Sequence, residues 1–320
     1  MSRVTGAGGE EMRVKKRSSV FWMAGWLLFC PALSAHARDA RATLPVKLYG
    51  GYTVVVQGSI ADIPNLNFLI DTGAMPTVVD ARIARKLDLS GNRQPLTVFS
   101  RQVGTERVVL PNVRIGPAHA AGVQSLVADL SFAEKSLGIR IDAIVGLDVL
   151  GHEGFSIDYR ARQILFGASG AADWVAGFDP RLPQVIVELQ IDAHPVRLLV
   201  DTGAKYFILF ARKNSEPLPH DAGAVGPMTA LTPAETPAPA QLKQPKTDPT
   251  IVTFGGEVRL EPVLLSHVRL GELQLTDQPA YLSPFDAAAP LGFDGVLGVA
   301  ALHVQRIDFD FEHGRLGWLR

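Results

Sequence analysis

The tripeptide Asp-Thr-Gly occurs twice in this chain of 320 residues, and each copy directly follows an apolar, strand-like run. The first copy is Asp71-Thr72-Gly73, after Phe68-Leu69-Ile70, and the second is Asp201-Thr202-Gly203, after Leu198-Leu199-Val200. Asp-Thr-Gly alone is common in surface turns, but a turn does not need a buried apolar entry in both copies. Two carboxylates in matched settings therefore predict an acid/base pair.

The match between the two regions continues downstream of each tripeptide. Ile141–Gly146 reappears as Phe293–Gly298, and Phe155–Tyr159 has the same spacing of apolar residues as Ile307–Phe311. One register held over many apolar positions indicates an internal repeat, in which each copy forms one lobe.

These residues resemble the aspartic peptidases, and the bacterial retropepsin-like branch more than the pepsin-like branch. The shared markers are apolar-apolar-Asp-Thr-Gly-Ala and a later apolar-apolar-Gly segment, here Ile144–Gly146 and Val296–Gly298. The resemblance covers most of the chain beyond residue 45. It implies a mainly β, pepsin/retropepsin-like acid protease fold, with two pseudo-twofold-related, barrel-like lobes and a cleft between them. Gly146 and Gly298 would each pack against the loop that carries an aspartate.

The resemblance implies catalytic roles for Asp71 and Asp201, which would activate a water molecule for hydrolysis. Adjacent carboxylates share one proton because two like charges at that separation cannot both stay ionised, and aspartic proteases are the standard example of this behaviour. Thr72 and Thr202 would hydrogen-bond across the lobe interface and hold the two acids together.

The small residues of each motif would also support the dyad. Gly73 and Gly203 allow a tight turn and close approach of the substrate, which a Cβ atom would obstruct. Ala74 and Ala204 leave room beside the carboxylates.

Three further residues are predicted to contact substrate: Met75, Lys205 and Gly104. The family often has small or acidic residues after Asp-Thr-Gly-Ala, whereas this chain has Met75 and Lys205. Lys205 could lower the proton affinity of the dyad, select an acidic substrate side chain, or extend into solvent. Residues 98–108, with Gly104 between two strand-like runs, are predicted to form the first flap. The second flap would fall in or near a Pro-rich insertion at residues 214–250.

The domain boundaries follow from composition and spacing. Residues 1–37 predict a signal peptide, 38–172 the N-terminal aspartic protease lobe and 173–320 the C-terminal lobe, with the connection near residues 168–182. The signal has a basic stretch, an apolar run and Ala35-His36-Ala37, and cleavage is expected after Ala37. Met12 could be the true start. The mature protein would then be periplasmic or secreted; an uncleaved membrane anchor is the alternative.

Charge and residue types exclude several partners and cofactors. A net charge of −1 gives no bias toward polyanions, so nucleic acid is not an expected partner. The single cysteine, Cys30, lies in the predicted signal, so no disulfide is expected in the mature protein. Histidines without metal-ligand spacing predict no metal, and no organic cofactor is expected. Asp142, Asp294, Asp158 and Asp310 are interpreted as structural or solvated carboxylates.

The sequence therefore predicts an exported aspartic endopeptidase that acts on a peptide or protein substrate. Because both halves lie in one chain, we expect an active monomer that does not bind membranes after signal cleavage. The main alternative is a periplasmic peptide-binding or scaffold protein of the same fold with weak or no turnover. A secreted β-sandwich adhesion domain is a third alternative, but it would not explain the matched carboxylates.

Overall fold

Short β-strands joined by tight turns make up most of the computed structural model. It describes residues 42–98, 101–151, 153–167, 173–192, 194–210, 250–253, 256–283 and 292–320. The predicted signal peptide and almost all of the predicted insertion at 214–250 lie outside these residues. Residues 41–320 belong to one structural unit.

The strands are numbered in chain order. Those before residue 170 are β1 Thr43–Pro45, β2 Lys47–Tyr49, β3 Thr53–Ile60, β4 Ile63–Ile70, β5 Val78–Asp80, β6 Asn92–Val98, β7 Arg101–Ile115, β8 Ala118–Ala128, β9 Ala143–Val145, β10 Phe155–Asp158 and β11 Gln163–Phe166. Those after it are β12 Asp173–Gly177, β13 Ile186–Ile191, β14 His194–Asp201, β15 Phe207–Phe210, β16 Thr250–Thr253, β17 Gly256–Arg259, β18 Glu261–Leu270, β19 Leu273–Ser283, β20 Gly295–Gly298, β21 Arg306–Asp310 and β22 Arg315–Leu319. The helices are α1 Ala81–Lys86, α2 Ser131–Leu137, α3 Leu147–Leu150 and a 3-10 helix at Val299–Leu302.

Two barrel-like sheets have the same strand order. In the C-terminal half, β13-β14-β20-β15-β19-β18 close into a barrel. In the N-terminal half, β3-β4-β9-β5-β8-β7 follow the same order, and a β3–β7 pairing joins the two ends. Phe68 lies opposite Ala143 in the first sheet, and Leu198 lies opposite Gly295 in the second. The mainly β fold with two barrel-like sheets is therefore confirmed.

A third sheet contains strands from both halves, in the order β1-β11-β10-β21-β22-β12. At its centre β10 and β21 pair antiparallel, with Ile157 opposite Ile307. The rings of Phe155 and Phe309 are fully buried and stack 4.8 Å apart between centroids. This sheet ties the halves together through one apolar core. Residues 173–177, expected to belong to a connection, form its edge strand β12.

Helical structure is sparse, as expected, but it is placed differently from the prediction. The clearest helical pattern in the sequence, with apolar residues on one face, is at Val79–Leu87 and predicts a helix there. In the structure Val78–Asp80 forms β5 and α1 begins at Ala81. Asp80 ends the strand and caps the helix, because its carboxylate accepts a hydrogen bond from the backbone N–H of Arg82 at 2.9 Å. The helices α2 and α3 were not predicted.

Asp142 and Asp294 have the expected structural role, but the backbone partners of their carboxylates lie on strands and not on nearby turns. The carboxylate of Asp142 accepts the backbone N–H of Asn67 at 2.8 Å, and that of Asp294 accepts the N–H of Arg197 at 2.9 Å. Asn67 and Arg197 occupy matching positions on β4 and β14. The carboxylates of Asp158 and Asp310 accept backbone N–H groups in the turns that follow their strands, at 2.6 and 3.1 Å.

The shared sheet predicts a large loss of stability when Phe309 is truncated. We expect Phe309→Ala to lower the free energy of unfolding by about 3–5 kcal/mol, because it leaves a cavity beside Phe155. Val109→Thr is the control, since Val109 is 48% exposed and the change should stay within about 0.5 kcal/mol. Urea unfolding measures the free energy of unfolding of both variants. An equal decrease in the two would contradict a packing role for Phe309.

Candidate active site

Each aspartate of the two motifs lies at the carboxyl end of a strand. The backbone N–H of Asp71, directly after β4, donates to the carbonyl of Val145 on β9 at 3.0 Å. Asp201, the last residue of β14, lies opposite Gly298 on β20. Both pairings are parallel, and the buried apolar run before each aspartate holds the strand in place. The local sequence thus fixes each carboxylate on a rigid strand end.

Both carboxylates are oriented by the turns that follow them. Oδ1 of Asp71 accepts the backbone N–H groups of Gly73 at 2.8 Å and Ala74 at 3.1 Å. Oδ1 of Asp201 accepts those of Gly203 at 2.7 Å and Ala204 at 2.9 Å. These bonds favour the ionised form of each acid and leave Oδ2 to face the other motif.

The two threonines connect the halves through four reciprocal hydrogen bonds. The backbone N–H of Thr72 donates to Oγ1 of Thr202, and the N–H of Thr202 donates to Oγ1 of Thr72, both at 3.1 Å. Each hydroxyl then donates across the interface, Thr72 to the carbonyl of Val200 at 2.8 Å and Thr202 to that of Ile70 at 3.2 Å. Both threonines are buried. The structure therefore brings the two motifs together through this threonine interlock.

The glycines lie against the carboxylate of the opposite motif. A Cβ placed on Gly73 would be 2.7 Å from Oδ2 of Asp201, and one on Gly203 would be 2.7 Å from Oδ2 of Asp71. A side chain at either position would have to displace a carboxylate. Glycine is required here by close packing across the dyad, and not by an unusual backbone conformation.

Gly146 and Gly298 pack against the loops that follow the motifs, as the resemblance implies. A Cβ on Gly146 would be 2.0 Å from the carbonyl oxygen of Ala74. One on Gly298 would be 2.5 Å from the carbonyl oxygen of Tyr206 and 2.8 Å from that of Ala204. These contacts hold each active loop against the neighbouring strand.

Burial raises the pKa of both aspartates above the ordinary value of 3.8. For Asp201 the negative charge of Asp71 and a hydrogen bond between the two side chains raise the pKa further, to well above that value. For Asp71 the same hydrogen bond and the backbone N–H groups of Gly73 and Ala74 act in the opposite direction. Burial and the proximity of the two carboxyl groups therefore favour a form of the pair that keeps a proton.

Three residues near the motifs were missed from the sequence. Thr77 is buried; its hydroxyl donates to Asp148 Oδ1 at 2.5 Å and accepts the backbone N–H of Gly146 at 3.1 Å. Asp148 also accepts the backbone N–H of Thr77 at 2.8 Å. Gln184 donates its side-chain amide to the carbonyl of Gly73 at 3.3 Å. The one sequence signal that could have suggested Asp148 is its position shortly after Gly146.

Met75 and Lys205 occupy matching positions after the two motifs, and both are exposed. The Lys205 ammonium lies over the Tyr206 ring, 5.3 Å from its centroid. Among the described residues, the groups that shift the pKa of Asp201 do not include Lys205. Control of the dyad's proton affinity by Lys205 thus finds no support in the electrostatics of the site.

In the predicted flap, residues 98–108, the expected position of Gly104 between two strands needs a correction. Gly104 lies inside β7 opposite Pro95, and β6 and β7 are joined at residues 99–100. Its Cβ direction is open, with no atom within 4 Å. In the C-terminal half, β16 and β17 form a matching short hairpin joined at residues 254–255, directly after the predicted insertion. The role of either hairpin as a flap stays a prediction, as does substrate contact by Gly104.

Comparison with known proteins supports the resemblance on the N-terminal side. Residues 56–149 match the family model described as aspartyl protease, and this segment contains the first Asp-Thr-Gly and Gly146. The resemblance to aspartyl proteases is therefore confirmed. Among solved structures, a retropepsin-like aspartic protease from Rickettsia conorii matches at 19% identity and a TM-score of 0.29, over 39% of this chain and 89% of that one. No curated protein matches the chain.

Within the described ranges, no three His, Cys, Asp or Glu side chains come together in a way that could hold a metal ion. No helix in the described part of the chain is both long and apolar enough to cross a membrane.

The threonine interlock predicts that Thr72→Val is more destabilising than Thr72→Ser. Valine keeps the shape but leaves the backbone N–H of Thr202 and the carbonyl of Val200 without their partner, at about 1–3 kcal/mol for each group. Serine keeps both bonds and loses one methyl group, worth about 0.8 kcal/mol. Urea unfolding of the two variants is the measurement, and equal losses would show that the hydroxyl is not needed.

The raised pKa of Asp201 predicts that Asp201→Asn stabilises the protein at neutral pH. The folded protein holds this proton more tightly than the unfolded chain, so the wild type loses stability as pH rises above 3.8. Asparagine removes that loss and can still accept the N–H groups of Gly203 and Ala204. At pH 7 we expect Tm to rise by about 2–4 °C, the shift that about 1 kcal/mol produces in a domain of moderate size.

Thermal unfolding at pH 7 and pH 3.5 tests this sign, because the difference should shrink at the lower pH. Asp129→Asn is the control. A hydrogen bond from the backbone N–H of Ser131 lowers the pKa of Asp129, so its replacement should not raise Tm at pH 7. A lower Tm for Asp201→Asn at pH 7 would contradict a raised pKa.

Proposed function

We propose that this protein is an aspartic-type endopeptidase that hydrolyses a peptide or protein substrate. The supporting observation is the pair of hydrogen-bonded carboxyl groups of Asp71 and Asp201, which occupy matched strand ends and have raised pKa values. The aspartyl protease match over residues 56–149 supports the broader class of protease. An extended substrate segment would bind by main-chain contacts, with pockets for alternate side chains giving selectivity.

In this proposal the two acids have different roles at the start of the reaction. Asp71 begins ionised and accepts a proton from a water molecule as the water oxygen attacks the peptide carbonyl carbon. Asp201 donates its proton to the carbonyl oxygen. As the C–N bond breaks, Asp71 donates its proton to the departing nitrogen, and one hydroxyl of the tetrahedral intermediate gives a proton back to Asp201 as the carboxylic acid product forms. The pair then again holds one proton, on Asp201.

The interlock supports this mechanism because it fixes the distance between the acids before substrate arrives. Thr72 and Thr202 are held by backbone groups of the opposite half, so neither carboxylate can withdraw without breaking buried hydrogen bonds. Like charges are thus kept close enough to share a proton. No metal or organic cofactor is needed for the proposed reaction.

The proposal includes export, an internal repeat and a monomeric enzyme. Export is inferred from the basic and apolar order of residues 1–37, and it would place the mature protein in the periplasm or outside the cell. The repeat is inferred from the matched sequence segments and from the same strand order in the two barrel-like sheets. Because both motifs are in one chain, a single copy would complete the site.

The proposal predicts that Asp71→Asn and Asp201→Asn each lower kcat by at least about 10²–10⁴-fold, the usual contribution of a general acid or base. Purified residues 38–320 and both variants are incubated with a peptide library between pH 3 and 8, and products are identified by mass spectrometry. The wild-type rate should fall at both ends of this range, as the dyad gains a second proton or loses the shared one. It should be proportional to enzyme concentration.

Asp148→Asn serves as a comparison outside the dyad, with a smaller expected loss because Asp148 supports the loop near Thr77. A well-folded wild type that binds peptides and cleaves none would favour the peptide-binding alternative. A rate that rises with the square of enzyme concentration would contradict the monomer.

A further inference from the structure

A cavity of about 490 Å³ lies beside the second Asp-Thr-Gly motif. Lys205, Tyr206 and Phe207, which follow the motif closely, form one wall, and the 3-10 helix at Val299–Leu302 contributes another. The turn at Gly50–Tyr52 and residues of β19 also line it. We call this cavity the Lys205 pocket. Lys205 is four positions after Asp201 in the chain, so the pocket adjoins the loop that follows the second motif.

The Lys205 pocket contains cationic and phenolic groups and lacks carboxylates. Lys205 supplies an ammonium group, and four tyrosines, Tyr52, Tyr159, Tyr206 and Tyr281, line the same space. None of the described residues that line it is an aspartate or glutamate. An ammonium and phenol hydroxyls donate hydrogen bonds, and bonds from such donors to a carboxylate are stronger than bonds to a neutral amide.

Tyr159 gives a second, independent observation. Its hydroxyl oxygen is buried and has no hydrogen-bond partner among the described residues. Burial is the main cause that raises the pKa of this phenol, and the charge of Asp201 adds to it, so the hydroxyl lies within electrostatic range of the dyad. A buried donor without an acceptor is unfavourable, and an arriving acceptor would relieve that cost.

The matching cavity in the N-terminal half has different chemistry. It is of similar size, about 470 Å³, and is lined by Met75 and Pro76 where the other has Lys205 and Tyr206. It also includes Asp148, a carboxylate that already accepts two hydrogen bonds from Thr77. The N-terminal pocket therefore pairs a carboxylate with the cationic Arg107, which also lines it, whereas the described lining of the Lys205 pocket has a cation and no carboxylate.

We propose that the Lys205 pocket binds an acidic side chain of the peptide substrate, with the Lys205 ammonium as its counter-charge and the Tyr159 hydroxyl as an additional donor. This inference rests on the proposed endopeptidase function and names the substrate class of that site. Lys205 is held over the Tyr206 ring at 5.3 Å, which limits the positions of its ammonium at the mouth of the pocket. The preference arises in binding, and the dyad chemistry is the same for acidic and neutral substrates.

The test uses octapeptides of small and apolar residues that differ only by glutamate or glutamine at one position at a time. At pH 6, where glutamate is ionised, the wild type should show a kcat/KM about tenfold higher for glutamate at one position. Lys205→Gln should bring this ratio close to one, Lys205→Arg should retain most of it, and Tyr159→Phe should lower it about threefold. A merely structural effect would lower kcat/KM equally for the glutamate and glutamine peptides, so their ratio would not change.

Lys135→Gln is the matched control, because it removes the charge of an exposed lysine on α2, outside both pockets. Its glutamate-to-glutamine ratio should equal that of the wild type. Equal kcat/KM values for every pair in the wild type, or a preference that persists in Lys205→Gln, would overturn the proposal.

A binding measurement separates failure of this inference from failure of the proposed function. Fluorescein-labelled glutamate and glutamine peptides are titrated into Asp71→Asn protein and followed by anisotropy. If the wild type cleaves none of the peptides, the endopeptidase proposal fails, yet tighter binding of a glutamate peptide that is lost in Asp71→Asn/Lys205→Gln still supports the pocket. Equal dissociation constants for the glutamate and glutamine peptides would overturn the proposal that the Lys205 pocket binds an acidic side chain.

Discussion

The threonine interlock is the interaction on which the candidate site depends. Each of its two backbone N–H groups, at Thr72 and Thr202, is buried and has its hydrogen-bond acceptor on the opposite half of the chain. The carbonyls of Ile70 and Val200 accept the two hydroxyls in the same way. Separation of the halves would leave all four groups without these partners, and buried backbone groups are costly to leave unpaired. The distance between the two aspartates is thus fixed by backbone hydrogen bonding and not by any attraction between the acids.

This constraint accounts for the electrostatics of the dyad. Two carboxyl groups would separate if they were free to do so, since burial disfavours their charged forms and the charge of one opposes ionisation of the other. The interlock prevents that separation, and the raised pKa values of both acids favour a pair that keeps a proton. A site with these properties reduces stability at neutral pH, and the glycines that lie against the carboxylates leave no room for larger residues.

Most of the site could be predicted because its residues are specified by local chemistry. A buried strand that ends in Asp-Thr-Gly, present twice, needs no knowledge of distant contacts. Gly146 and Gly298 are recognisable because each ends a later apolar-apolar-Gly segment. Thr77 and Gln184 could not be found in this way, since their roles depend on which loops meet after folding. Within the predicted flap, residues 98–108, the turn was placed at Gly104 instead of residues 99–100 for a related reason. Glycine is typical of turns, but here Gly104 is within a strand, and the register of β6 with β7 sets the turn.

The two halves of the chain are more alike in backbone structure than in side-chain chemistry. Strand order, parallel pairings and the hydrogen bonds to both aspartates are matched between the halves, whereas Met75 and Lys205 occupy matching positions with unlike chemistry. Proton sharing needs symmetry, because both acids must lie at the same depth and distance for one proton to bridge them. Recognition of a peptide needs the opposite, since a peptide has direction and its side chains differ along its length. A duplicated backbone with unequal pockets therefore allows both proton sharing and recognition of a peptide. Any selectivity of this site then depends on the residues that differ between the halves, such as Met75 and Lys205.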